Sequence, residues 1–301
     1  MSAAPCALPI IQADIFTDRP FAGNPAGAVL DADGLDEAAM QRIAGEMLVP
    51  GTAFVSAPGQ RGADWRLRMF TPKREVAYSG HTALGGTHAL LEARRLTGDA
   101  VTFDTPSGLL RVEVERDTAG ALMWLEPAVP MVKLFEGDTV EILGVLGLSR
   151  AGLGGWARPG VTPDGDLLLP ARDLATLRAL QPDMSRLAAL RTAQHARGVC
   201  VVSRETVDAG SGSHSRFFAP HYGIPEDIVT GSVHSSVGVW LLEAGVLSRS
   251  DGRTGFTAEQ GDGLDRPGRL RVELVVAGGR ATRVRVGGRA VTVLSGSLRH
   301  P

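Results

Sequence analysis

Lysine, cysteine and aromatic residues are scarce in this chain of 301 residues. Of its 31 basic residues only two are lysine, at positions 73 and 133, and the arginines are spread along the whole chain. With 33 acidic residues the formal net charge is −2. A chain without a basic cluster gives no reason to expect nucleic acid or a membrane surface as its partner.

Cysteine is too rare for a disulfide framework. The two cysteines, Cys6 and Cys200, lie far apart in the sequence and lack the spacing of a metal site. No cluster of histidine, cysteine and acidic residues has ligand spacing, and no glycine-rich nucleotide-binding fingerprint occurs. We therefore expect an enzyme that uses neither a metal nor another cofactor.

Long hydrophobic runs are also lacking. None approaches the roughly 18 residues that a membrane-spanning helix needs, and the N-terminal segment lacks the basic and apolar regions of a signal peptide. The hydrophobic fraction of 44% and the charged fraction of 21% are typical of soluble globular proteins. We expect a cytoplasmic protein, long enough for two domains.

The stretch 78–86, Y-S-G-H-T-A-L-G-G, connects a predicted strand to a predicted helix. Residues 65–70 alternate apolar and charged side chains, as half-buried strands do, and apolar residues recur at helical spacing after the stretch. His81 is therefore expected at or near a helix N-terminus. Unpaired N–H groups and the helix dipole favour a bound anion there and lower the pKa of an imidazole. A histidine that only caps its own helix is the alternative.

The pattern around this stretch occurs twice. Three collinear matches have offsets of 148, 151 and 160 residues: 68–72 with 216–220, Gly80-His81 with Gly231-Ser232, and 108–113 with 268–273. A period near half the chain predicts duplicated domains rather than a solenoid. We expect domains at 1–128 and 129–301, with the last strand a candidate to cross back to the first half. The two helix N-termini are expected to face each other around a small anionic ligand.

The second copy adds further candidate residues. Asp227 lies just before the Gly-Ser turn; an acidic residue there is often a cap, but its place beside the turn favours a functional role. Ser232 offers a hydroxyl and an N–H group to an anion, or caps the helix. His234 is either structural or a second imidazole at the site. Asn24, in the corner G-N-P, either offers its amide to a ligand or only shapes a turn.

Other segments have clear local signals. Residues 36–47 are predicted to form a helix with Asp36 as its N-cap. Residues 103–116 resemble a hairpin, whereas 205–215, rich in serine and glycine, are expected to form a mobile surface loop. Three alternating strands are predicted near the C-terminus, at 270–276, 281–286 and 290–298.

Three segments resemble the signatures of the PhzF family of phenazine biosynthesis. They are D-I-F-T-D-R-P-F-A-G-N-P-A-G-A-V at 14–29, F-T-P-x-x-E-x-x-Y-S-G-H-T-A-L-G at 70–85, and F-A-P-x-x-G-I-P-E-D-I-V-T-G-S at 218–232. The resemblance spans essentially the whole chain. It implies an α+β, diaminopimelate epimerase-like fold: two pseudo-symmetric domains, each a curved, mostly antiparallel sheet wrapped around a central helix. It also implies a homodimer.

The resemblance fails at one functional position. In the family, a glutamate in a segment like N-L-S-E-x-T-F-V moves the proton, whereas this chain has M-L-V-P-G-T-A-F-V and therefore Gly51. Glycine has no side chain to carry a proton. The two-thiol mechanism of the related epimerases is also disfavoured, because Gly80-His81 and Gly231-Ser232 stand where its cysteines would be.

The sequence therefore predicts a cofactor-independent isomerase with His81 and Asp227 as proton carriers. It would move a double bond and a proton in a small unsaturated cyclic amino acid or ring carboxylate of secondary metabolism. A pyrroline carboxylate of a 4-alkylproline antibiotic pathway and a dihydroanthranilate-like diene are the candidate substrates. The alternatives are a non-catalytic ligand-binding relative, which the loss of the glutamate favours, and an amino-acid racemase. The residues expected to bind the substrate are Asn24, Gly80, Gly231, Ser232 and His234.

Overall fold

A computed structural model describes residues 6–190 and 197–300 of the chain. The N-terminal segment predicted not to be a signal peptide includes residues 1–5, which lie outside the described residues. The chain forms two compact units: the first runs to Leu125 and resumes at Gly287, and the second covers Glu126–Val286. The domain division at residue 128 stays a prediction from the sequence. In the described part of the chain, no helix is long and apolar enough to cross a membrane.

Among the described residues, the first unit contains two α-helices, and most of its strands lie before Leu125. The strands are β1 (Cys6–Ile15), β2 (Asn24–Val29), β3 (Gly51–Ser56), β4 (Trp65–Phe70), β5 (Glu75–Val76), β6 (Ala100–Thr105), β7 (Gly108–Asp117) and β8 (Gly120–Leu125). The helices are α1 (Glu37–Met47) and α2 (Gly80–Glu92). Helix α2 packs against β1, β2 and β3, and all residues from Thr82 to Leu90 are buried. A helix buried on all sides is the central element of its unit.

The second unit has the same organisation. Its strands are β9 (Lys133–Leu134), β10 (Gly160–Val161), β11 (Leu167–Pro170), β12 (Val199–Ser203), β13 (Ser211–Ala219), β14 (Ile224–Asp227), β15 (Gly252–Gln260), β16 (Gly268–Ala277) and, as far as Val286, β17 (Arg280–Gly288). Its helices are α3 (Val140–Val145), α4 (Leu174–Arg178), α5 (Met184–Ala189) and α6 (Gly231–Glu243). Helix α6 is its central helix, buried from Val233 to Leu242. The last strand, β18 (Ala290–His300), returns to the first unit and pairs antiparallel with β1.

Strand pairing repeats in the two units. In the first, β2 is parallel to β3, β3 antiparallel to β4, β4 parallel to β6, and β6 antiparallel to β7. In the second, the same four steps join β11, β12, β13, β15 and β16 in that order. Phe70 lies opposite Thr52, and Phe218 lies opposite Val199, so the registers also correspond. The sequence repeat is thus a repeat of topology.

An arginine stabilises the same corner in each unit. Arg68 on β4 binds Glu75 through Nε and Nη2, at 2.7 and 2.6 Å. Arg216 on β13 binds Glu226 in the same bidentate manner, both distances being 2.8 Å. The repeated Arg-x-Phe-x-Pro segment therefore has a structural role: it fixes the short strand that precedes each central helix.

Most local predictions are confirmed. Helix α1 begins after Asp36, whose side chain accepts a hydrogen bond from the N–H group of Ala39 at 2.7 Å. The hairpin is formed by β6 and β7, and the three C-terminal strands are β16, β17 and β18. The predicted mobile loop at 205–215 is wrong from Ser211 onward, where β13 begins. That strand is paired on both sides, and small serine side chains fit the buried space between its neighbours.

Candidate functional site

His81 lies in the first turn of α2, as predicted, between two hydroxyl groups. Ser79 is the N-cap of the helix, and its Oγ lies 3.3 Å from His81 Nδ1 and 2.8 Å from Thr82 Oγ1. Thr82 Oγ1 lies 3.4 Å from His81 Nε2. Both ring nitrogens are therefore within hydrogen-bonding distance of a hydroxyl, while the side chain of His81 remains half-buried. This arrangement holds an imidazole in a fixed orientation at a helix start.

Gly51, the first residue of β3, lies beside this hydroxyl–imidazole cluster. A Cβ atom on Gly51 would lie 2.0 Å from Thr82 Oγ1 and 3.1 Å from His81 Nε2. The first distance is well inside van der Waals contact, so Thr82 already fills the space that a side chain of residue 51 would need. The imidazole of His81 lies next to that space. The packing around Gly51 therefore leaves no room for the glutamate that the family has at this position.

Asn24 is fully buried at the start of β2, opposite Ile15 of β1. The preceding Gly23 has φ +58°, and a Cβ atom there would lie 2.1 Å from the carbonyl oxygen of Ile15. Only glycine fits that corner. The Gly-Asn-Pro segment thus has a clear structural role, and substrate binding by Asn24 stays a prediction.

Asp227 ends β14, and its side chain is half-buried just before α6. Thr230, the N-cap of α6, donates from Oγ1 to Asp227 Oδ2 at 2.6 Å. The fully buried Gln260 donates from Nε2 to the carbonyl oxygen of Asp227 at 2.8 Å and accepts from the N–H group of Thr230 at 3.1 Å. The carboxylate is thus held in one orientation by a threonine that the sheet itself fixes through Gln260.

His234 lies inside α6 with no exposed surface. Its Nδ1 lies 2.8 Å from the carbonyl oxygen of Thr230, which can only accept, so Nδ1 carries the hydrogen. Its Nε2 lies 3.1 Å from Ser215 Oγ. Burial lowers the pKa of His234 to about 4 despite the favourable bond to Thr230. The ring supports the helix start, and nothing in its surroundings favours the substrate contact that we predicted for it.

The depressed pKa of His234 makes stability depend on pH. In the unfolded chain the imidazole takes up a proton near its ordinary pKa of 6.5, whereas in the folded protein it stays neutral down to about 4. The unfolded state therefore gains protons first as the pH falls. We expect the free energy of unfolding to decrease by about 3 kcal/mol over this window from His234 alone.

Urea titrations at several pH values, with the variant His234→Gln as control, measure this contribution. Glutamine still offers an N–H donor to Thr230 but does not titrate, so carboxylate contributions appear in both proteins and that of His234 only in the wild type. Equal pH slopes in the two proteins would show that His234 does not stay neutral when folded.

Arg197 is a candidate residue that the sequence analysis missed. It binds the fully buried Asp166 through Nε at 2.9 Å and Nη2 at 2.5 Å, and Nη2 lies 3.4 Å from Ser232 Oγ in the first turn of α6. The more exposed Asp164 lies 3.8 Å from the same nitrogen. The arginine thus presents a fixed guanidinium group beside the helix start. In the sequence, the only sign of this pair is Asp166 in front of the apolar strand β11. Arg197 lies 31 residues further along the chain.

A catalytic role for Cys200 is disfavoured. Cys200 lies in β12 with no exposed surface, and burial raises the pKa of its thiol. A thiol that stays protonated is a poor base, which counts against a thiol-based racemase. Across residues 6–190 and 197–300, no group of three histidine, cysteine or acidic side chains is placed to hold a metal ion.

These features define a duplicated α+β fold with a polar cluster at the start of each central helix. The family model described as "Phenazine biosynthesis-like protein" (PhzC-PhzF) matches residues 13–296, and the chain belongs to this family. The predicted family and fold class are therefore confirmed.

Individual relatives agree with this assignment. A protein of Pseudomonas aeruginosa named as an uncharacterized isomerase is 37% identical over 290 residues, covering 96% of this chain and 97% of its own length. The crystal structure of a PhzF-family protein from Bacillus anthracis has a TM-score of 0.88 at 27% identity, covering 98% of this chain and all of that one. A hydroxyproline epimerase from Agrobacterium vitis, 14% identical with a TM-score of 0.59, shares the fold alone; the match covers 97% of this chain and 92% of that one. The relatives support an isomerase.

Proposed function

We propose that this protein is a cofactor-independent isomerase that transfers a proton within a small unsaturated ring carboxylate, with His81 and Asp227 as its proton carriers. The observation that carries the proposal is the place of His81. Its Nε2 lies 3.1 Å from where the Cβ atom of residue 51 would be, the position from which the family glutamate would extend. An imidazole is a suitable general base and acid near neutral pH.

The reaction needs only a base and an acid. The base removes a proton from a carbon next to the conjugated system, the electron pair shifts the double bond, and a proton is returned to a different carbon. The product has the composition of the substrate, and each protein group ends in its starting form. No oxidant, reductant or co-substrate is consumed, so two fixed titratable side chains are sufficient.

The helix starts support an anionic substrate. The N-cap side chains of α2 and α6 make no hydrogen bond to the first turn of their helices, and first-turn N–H groups favour a carboxylate. We propose that Gly80, Gly231 and Ser232 bind it through this backbone, and that Arg197, although paired with Asp166, offers an N–H donor near Ser232 at the start of α6. A pyrroline carboxylate or a dihydroanthranilate-like diene of secondary metabolism fits this chemistry. We also propose a cytoplasmic location, from the composition of the chain, and a homodimer, from the family resemblance.

Hydrogen exchange tests the proposed reaction. We expect the wild-type protein, incubated in D₂O with a pyrroline-2-carboxylate diene or with trans-2,3-dihydro-3-hydroxyanthranilate, to place deuterium at the new C–H position, as seen by NMR. The rate is expected to be unchanged by EDTA and by His221→Gln, because that histidine is exposed on the surface.

Two results would contradict the proposal. Binding of both compounds without exchange would make the protein a ligand-binding relative. A loss of activity in EDTA that added metal restores would show that the reaction needs a metal ion.

A further inference from the structure

The helix N-caps of this protein are used in two different ways. Three helices are capped by aspartates that accept a backbone N–H bond: Asp36 from Ala39 at 2.7 Å, Asp173 from Thr176 at 2.7 Å, and Asp183 from Arg186 at 3.0 Å. Such bonds are the usual function of an N-cap side chain. The N-caps of the two central helices, Ser79 and Thr230, make no bond of this kind.

The hydroxyl of Thr230 is directed away from the helix by its neighbours. The N–H group of Thr230 donates to Gln260 Oε1 at 3.1 Å, which fixes the orientation of the amide. Gln260 Nε2 then donates to Thr230 Oγ1 at 3.1 Å and to the carbonyl oxygen of Asp227 at 2.8 Å. Because Oγ1 accepts from the amide, its own proton is donated to Asp227 Oδ2, 2.6 Å away. The backbone carbonyl oxygen of Thr230 accepts a hydrogen bond from His234 Nδ1.

We propose that Thr230 is a positioning residue for Asp227, and that Gln260 and His234 hold Thr230 in that role. The inference rests on the proposed function of Asp227. The bond donated by the Thr230 hydroxyl fixes the direction in which the Asp227 carboxylate faces. The hydroxyl of the N-cap residue thus bonds to the candidate base and not to the backbone of its own helix.

The first unit shows the same use of an N-cap. Ser79 Oγ lies within reach of His81 Nδ1 at 3.3 Å and of Thr82 Oγ1 at 2.8 Å, and not of the helix backbone. In both copies the hydroxyl before the central helix therefore contacts a side chain that we propose as a proton carrier. Neither N-cap hydroxyl bonds to the first turn of its own helix. A residue pair selected only for helix stability would cap its helix, as the three aspartates do.

The test compares Thr230→Val, which removes the hydroxyl at nearly constant shape, with Thr230→Ser, which keeps it. Thr230→Ala is the second hydroxyl-free variant if valine prevents folding. The first measurement is the ¹³C chemical shift of the Asp227 carboxyl group at one neutral pH, which reports the hydrogen bond from Thr230 Oγ1. We expect it to change in the hydroxyl-free variants and to stay in place in Thr230→Ser.

The second measurement is the exchange rate on the substrate that the wild type converts. We expect kcat to fall by about tenfold or more in the hydroxyl-free variants, with KM nearly unchanged. Thr230→Ser is expected to keep the wild-type kcat. A merely structural threonine would change thermal stability and leave kcat and the carboxyl chemical shift as they are.

The outcomes separate this inference from the proposed function. If Thr230→Val leaves the carboxyl chemical shift of Asp227 and kcat where Thr230→Ser leaves them, the positioning role is overturned even in an active enzyme. If the wild type catalyses no exchange, the proposed function fails, and the carboxyl chemical shift alone still decides whether Thr230 holds the carboxyl group.

Discussion

Asp227→Asn and His81→Ala are each expected to lower kcat by about a hundredfold or more while ligand binding is largely kept. Asparagine still accepts the hydrogen bond from Thr230 Oγ1, so the turn before α6 keeps its geometry, but an amide cannot take up a proton. Alanine at 81 removes the imidazole between Ser79 and Thr82 without changing the helix backbone. Deuterium exchange measures turnover, and calorimetric titration with the same ring acid measures binding.

Matched controls show whether the effect is specific. Asp138→Asn removes a carboxylate whose side chain is 72% exposed, and His221→Gln removes an exposed imidazole; both are expected to retain activity. His234→Ala tests the rival imidazole. If it abolishes turnover while Asp227→Asn leaves turnover intact, proton transfer does not involve Asp227.

Gly51→Glu is expected to give neither the dihydrohydroxyanthranilate reaction at ordinary enzyme rates nor a stable protein. Gly51 is buried, and the new Cβ atom would lie 2.0 Å from Thr82 Oγ1. Inserting atoms into a filled site costs about 1–3 kcal/mol, and the buried carboxylate adds a further cost. Turnover assays and urea denaturation of the single variant measure both effects.

Gly51→Ala isolates the clash, because it adds the Cβ atom without the carboxylate. We expect it to lose much of the same stability, and we expect Thr82→Ala in the Gly51→Ala background to recover part of that loss. Near-normal turnover of dihydrohydroxyanthranilate by Gly51→Glu alone would show that the site tolerates a glutamate and that our account of its packing is wrong.

The elements that the sequence predicts well are those with a local cause. The alternation in W-R-L-R-M-F gives β4 over the predicted residues, and Asp36 starts α1 because its side chain reaches a backbone N–H three residues later. The duplication was also visible, because the repeated arginine, phenylalanine and proline residues form the same corner twice. In these cases the contacts that decide the structure join residues that are close together in the sequence.

The parts that the sequence did not predict depend on distant contacts. Arg197 finds Asp166 across 31 residues, and Gln260 reaches Thr230 across 30. Nothing in the neighbourhood of Gln260 distinguishes it from other polar residues at a strand end. The serines of β13 were misinterpreted for the same reason, since a strand paired on both sides accepts small polar residues that composition alone assigns to a loop.

The return of β18 to the first unit has a consequence for how the chain folds during synthesis. Strand β1 pairs with β2 on one edge and with β18 on the other, in a register that joins Cys6 to His300. The second edge of β1 therefore stays open until β18 has been synthesised, by which time all strands from β9 to β17 have been made. An open strand edge is a site of unwanted pairing with other chains. Strand β18 thus completes the pairing of β1 only after the strands of the second unit have been made.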